Sequence, residues 1–119
     1  MAPEEPEVYN QIADLFLKRR QGNDAAVALT EGMLITSDPG LRSNLILLYG
    51  SSKDPANCTL IPGPNGPAIN PRCQIVVDHT CAAAPEVLKA LIGMGRQGDA
   101  AERKQMFVNQ YRCAPAPLH

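Results

Sequence analysis

Three segments of nearly equal length open on Asp or Asn and close on Pro: Asp24–Pro39, Asn70–Pro85 and Asp99–Pro115. An Asp or Asn side chain accepts hydrogen bonds from the free N–H groups of a first helical turn. A Pro lacks an N–H and collides with the preceding turn, so it ends a helix. After Asn70, Pro71 sits where a fixed φ and a missing N–H cost nothing. The three segments are therefore expected to be three similar helices. In the middle one, the β-branched run Ile75, Val76 and Val77 would also suit a strand. Its match to the other two favours a helix.

A doubled phrase supplies the elements between them. Pro6-Glu7-Val8 returns as Pro85-Glu86-Val87, and Arg20-Gln21-Gly22-Asn23-Asp24-Ala25-Ala26 returns, one residue shorter, as Arg96-Gln97-Gly98-Asp99-Ala100-Ala101. Pro-Glu-Val thus opens a helix, and the second phrase turns the chain into the next one. The first helix is expected from about Glu7 to Arg20, with an apolar stripe through Val8, Ile12, Leu15 and Phe16 as far as Arg19, and with Gly22 ending it. Asp38-Pro39 forms a cap-plus-proline start for the helix containing Leu41–Gly50. A third runs from Pro85 to Gly95, weakened by Gly93 and Gly95, with Gly98 as its left-handed stop. The expected fold is all-α: about six short antiparallel helices in three hairpins. It forms one domain over residues 7–113, with an extension at 1–6, a Pro/Gly-rich loop at 54–71 and an extended or disordered tail at 114–119.

Helix pairs repeated along a chain signal an α-solenoid. Over residues 7–39 the chain resembles a tetratricopeptide repeat, whose pattern is W-x₂-L-G-x₂-Y, then A-x₃-F, then P. Tyr9 stands for the Trp, Ile12 for the Leu, Ala13 for the Gly, Phe16 for the Tyr, Ala25 for the Ala and Leu29 for the Phe. Gly32 adds a small residue, and Asp38-Pro39 closes the unit late. The third unit keeps Ala100 with a shorter first helix, and the second carries a long insertion. The resemblance implies a concave surface that receives a peptide or a partner's helix, faced by Asn10, Asp14, Leu17 and Asn44. A compact helical bundle, with Asn10 and Asp14 simply on a wet face, is the alternative.

Four cysteines admit three pairings. Cys58 and Cys73 flank a stretch so rich in Pro and Gly that no regular element is expected in it. A bridge there would stabilise by about 3 kcal/mol in the loop-entropy model. Cys81 and Cys113 fall at matching ends of neighbouring helices, and folding the chain at Gln97 also brings them together. The expected bridges are Cys58–Cys73 and Cys81–Cys113, which imply an oxidising compartment, the periplasm or cell exterior. The acidic start lacks the apolar core of a signal peptide, and Met1 reads as a start added to a processed chain.

A net charge of −1 and a pI of about 6.1 argue against nucleic acid, which demands a basic face. Lys18, Arg19 and Arg20 suit a dipole-compensating helix end. No run of apolar residues is long enough to span a membrane.

A metal site from Cys73, His79 and Cys81, with Asp78, is a second reading, but it lacks a C-x₂-C, and residues two apart diverge on a helix. Met33, Met94 and Met106 form no copper-type cluster and suit core filling. A small hydrolase-like enzyme around His79 is a third reading. Adjacent Asp78 and His79 do not make a triad, His119 is the last residue, Ser51-Ser52 suits a turn, and "PGPNG" has no phosphate-loop Lys or Ser/Thr.

No cofactor is expected. The expected function is a non-enzymatic protein-interaction module, an exported adaptor, secretion-system accessory or inhibitor of the immunity type. Asn65 and Asn70 on the Pro/Gly loop are further candidate contact residues beside those of the concave surface.

Overall fold

A computed structural model describes residues 5–51 and 60–113. The order is α1 (Pro6–Lys18), α2 (Gly22–Thr36), α3 (Pro39–Ser51), β1 (Leu60–Gly63), β2 (Gly66–Ile69), α4 (Gln74–Gly93) and α5 (Gln97–Asn109). The molecule is mostly helical. The α2 helix is central, packing against α1, α3 and α4, while α5 packs on α4.

Among the described residues five helices stand where six were expected, because α4 runs straight through Pro85. Its buried positions are Val76, His79, Thr80, Ala83, Ala84, Val87, Leu88 and Leu91, a helical stripe that keeps its phase across the proline. Breaking the helix there would rotate half of that stripe out of the core. The preceding Ala82-Ala83-Ala84 favours helix and offers no turn residue. Burial thus outweighs the roughly 3 kcal/mol that an internal proline costs.

Residues 60–69 of the Pro/Gly stretch are not irregular either. Strands β1 and β2 pair antiparallel as a hairpin, Leu60 opposite Ile69, Ile61 opposite Ala68, Pro62 opposite Pro67 and Gly63 opposite Gly66. Alternate pairs of such a ladder point their N–H groups outward. Two prolines facing each other fit one of those pairs, so neither removes a ladder bond. Asn70 does not cap α4, which begins four residues later behind Cys73. Its Oδ1 instead accepts the Arg72 N–H at 3.0 Å, and its carbonyl accepts the Cys73 N–H at 3.2 Å, which closes a turn ahead of the helix.

The doubled turn is built twice, in a different register from the letters. The Gln21 N–H donates to the Phe16 carbonyl and the Arg96 N–H to the Leu91 carbonyl, both at 2.8 Å. The Arg20 N–H reaches Leu17 and the Gly95 N–H reaches Ile92, both at 3.0 Å. This is the Schellman pattern. Its left-handed residue is Arg20 (φ 59°) in one copy and Gly95 (φ 75°) in the other. Gly22 and Gly98 therefore stop nothing; both lie in the first turn of the following helix. Asp24 and Asp99 sit one turn too late to cap, and act as first-turn acids toward the helix dipole. The two Pro-Glu-Val copies also differ, since Pro6 opens α1 while Pro85 is internal.

Helix α3 starts as the sequence indicated: the Asp38 carboxylate accepts the Leu41 N–H at 3.1 Å, with Pro39 in the first turn. The stripe expected on α1 is rotated. Tyr9 and Ala13 are buried and Phe16 packs against the core, but Leu15 is exposed. The cause is the close approach of α2. A Cβ on Gly32 would lie 2.5 Å from Tyr9 Cγ and 2.8 Å from Leu41 Cδ1, so α1, α2 and α3 meet at a point that only glycine fits.

The two hairpins are clasped by arginines. Arg96 Nη1 donates to the Ile35 carbonyl at 2.7 Å and Arg103 Nε to the Leu34 carbonyl at 3.1 Å, serving the last turn of α2, which has no basic residue of its own.

Cys81 and Cys113 form a disulfide with Cα atoms 5.3 Å apart, as the helix map indicated. Cys73 is disulfide-bonded as well. Its expected partner, Cys58, lies outside the described residues, as do Ser52, His119 and the tail. Met33, Met94 and Met106 pack against the core.

Candidate functional site

Helices α1 and α3 do not close on each other as α1 and α2 do. Between them lies a groove of about 740 Å³ with α2 at its base. Ala13, Leu29 and Leu48 give it an apolar floor. Leu17 and Leu47 stand on its walls, 44% and 69% exposed, so the groove presents leucines to solvent. The polar rim consists of Glu7, Asn10, Gln11, Asp14 and Asn44. Asn44 Nδ2 donates to Asn10 Oδ1 at 2.7 Å across it, tying α3 to α1.

Asn10, Asp14, Leu17 and Asn44, drawn from two helices, are thus brought to one cleft. Asn65 and Asn70 are not. Asn65 lies in the hairpin turn and Asn70 in the turn before α4. Glu7, Gln11 and Leu47 were missed. The run Leu45-Ile46-Leu47-Leu48-Tyr49 held a signal for Leu47, because five consecutive large apolar residues cannot all face one side of a helix.

Asp14 pairs with Lys18 Nζ at 3.2 Å, both side chains well exposed. Such pairs are worth about 0–1 kcal/mol, so Asp14 stays available to a ligand's cation.

A second polar feature lies behind the groove. His79 is buried, with Nδ1 2.8 Å from Tyr49 Oη and Nε2 3.2 Å from Asn23 Oδ1. Its ring stacks on Tyr49, centroids 5.7 Å apart. In the neutral imidazole, Nε2–H donates to Asn23 and Nδ1 accepts the Tyr49 hydroxyl proton. Burial lowers the His79 pKa, against the pull of Asp78 and Asp24. Burial also raises the Tyr49 phenol, with a further contribution from Tyr111.

Both ring nitrogens of His79 are occupied by these neighbours, and Asp78 bonds Gln74 Nε2 at 2.7 Å instead of the imidazole. Cys81 is bonded to Cys113, so its sulfur is not a thiolate ligand. Among the described residues no three His, Cys, Asp or Glu side chains gather as a metal site. Among the same residues no helix is long and apolar enough to cross a membrane.

Fold and groove together define a disulfide-bonded domain of helical hairpins with an open, leucine-walled cleft. Comparison with protein-family models, curated proteins and solved structures finds no match.

Proposed function

We propose that this chain is a protein-interaction module, a tetratricopeptide-like helical domain that holds a segment of a partner protein in the α1–α3 groove. The observation that carries this reading is the groove itself, which is apolar at the floor, amide-lined at the rim and flanked by exposed Leu17 and Leu47. Amides such as Asn10, Gln11 and Asn44 can pair with the backbone of an extended segment, while the leucines take its apolar side chains. Glu7 and Asp14 are the charged residues of the lining, so the segment carries a Lys or Arg beside its apolar anchors. The Cys81–Cys113 bridge is compatible with an oxidising compartment, and the module acts after export, as an adaptor, secretion-system accessory or inhibitor.

Selection from a phage-displayed random peptide library tests the reading. Enriched peptides should combine Leu-type residues with a basic one. Leu47→Asp should abolish their binding, and Asp14→Lys should shift the preference toward acidic peptides. Binders indifferent to both substitutions would refute the assignment.

A further inference from the structure

We propose that a second concavity, separate from the α1–α3 groove, binds a small amphipathic anion. It measures about 460 Å³, within the roughly 300–1,000 Å³ of small-molecule sites. It is enclosed by α2, α3, α4, the end of β2 and the segment that follows α5. Met33, Leu45, Ile69 and Val76 give it an apolar interior, drawn from four different elements.

Two polar side chains line it, Arg42 exposed at the mouth and Tyr111 half-buried. Arg42 lines the cavity, and its guanidinium makes no hydrogen bond or ion pair with a described residue. The Tyr111 hydroxyl likewise has no hydrogen bond to a described residue, although its ring is half-buried in the lining. Tyr111 is held there by the Cys113 N–H bond to the Phe107 carbonyl and by the adjacent disulfide. Asp38, also in the lining, accepts the Leu41 N–H in the α3 cap and remains a carboxylate, so the anionic head must approach from the Arg42 and Tyr111 side. A free guanidinium and a free phenol beside an apolar chamber match one ligand chemistry. The ligand has an apolar body and an anionic head that accepts from both donors.

Fluorescence titration with anilinonaphthalene sulfonate tests the site, with N-phenylnaphthylamine as the neutral analogue and calorimetry for stoichiometry. The expected result is one saturable site per chain, at least about tenfold weaker for the neutral analogue. Arg42→Gln should remove that preference, and Tyr111→Phe should weaken the anionic probe severalfold. Both are conservative changes whose folding circular dichroism checks. Leu47→Asp, in the other groove, should leave the titration unchanged. Absence of saturable binding, indifference to Arg42→Gln, or loss of binding in Leu47→Asp would each overturn the proposal.

Discussion

Replacing Gly32 with Ala tests the seam from which the groove is built. By helix propensity alone the change should stabilise α2 by about 1 kcal/mol. The seam predicts the opposite sign. The new Cβ would lie 2.5 Å from Tyr9 Cγ, 2.7 Å from Tyr9 Cβ and 2.8 Å from Leu41 Cδ1. Comfortable carbon–carbon contact is about 3.5–4.0 Å, so α1 must retreat by about 1 Å and the Leu41 side chain must swing aside. Tyr9 Cβ is fixed to the α1 backbone, so no rotamer change relieves that clash. Overpacking costs about 1–3 kcal/mol, and a three-sided clash belongs at the upper end. After the propensity gain the net loss is about 1–2 kcal/mol, a fall in Tm of roughly 4–8 °C for a domain of this size. Thermal melts followed by circular dichroism measure it. Gly98→Ala is the control: a Cβ there meets nothing within 4 Å in the first turn of α5, and the variant should melt higher than wild type. A Gly32→Ala protein as stable as wild type would show that the three helices do not meet as described.

Pro85→Ala should raise stability by about 1–2 kcal/mol in urea titrations, since it restores a donor to the Cys81 carbonyl inside a continuous helix. Had the proline ended a helix, the same change would be neutral. Removing the Cys81–Cys113 bridge by a double Ser substitution should cost about 4 kcal/mol, from a closed loop with sequence separation 32. Oxidised wild type should lose more than this on adding reductant, because the bond made by Cys73 is reduced as well. Two side chains set opposed pH dependences. The folded pKa of His79 lies below its ordinary 6.5, so its contribution is complete above that value and is lost as pH falls below it. Burial, with Glu86 adding to it, raises Glu31 from 4.5 to about 7, so its contribution is complete below 4.5 and is lost as pH rises through about 7. His79→Gln should therefore flatten the acid loss, while Glu31→Gln should stabilise at pH 8 and not at pH 4.

One helix start and one cysteine pairing were legible in the sequence, whereas the caps expected at Asp24, Asn70 and Asp99 were not formed. Asp38-Pro39 starts α3 where the letters indicate, and the bend near Gln97 brings Cys81 to Cys113. The long insertion was less legible, because proline is read as a breaker unless its partner on the opposite strand is known. Pro62 and Pro67 are compatible with a ladder only through their mutual register. Pro85 misled for a related reason. Local chemistry says stop, but the buried stripe on both sides has one phase, and burial is a property of the whole core. In the groove, Asn10, Asp14, Leu17 and Asn44 followed from a repeat pattern, whereas Asn23, His79 and Tyr49 carry no local signal. They come from three helices and meet only through the packing of α2, α3 and α4.

The repeated turn explains why one hairpin carries the groove. Aligned on Arg20 with Gly95, the two hairpins share their turn bonds and the buried pair Ala25 and Ala100. Beyond the turn they diverge where α3 would dock. Gly32, the point at which α1 and α3 approach α2, corresponds to Phe107, whose ring is fully buried in the core. Buried Leu29, on the groove floor, corresponds to exposed Lys104. A third helix seated on α4–α5 as α3 sits on α1–α2 would have to bury that ammonium and displace that ring, both costly. The repetition therefore specifies how a hairpin is turned, and the positions that break it specify which hairpin carries the open groove.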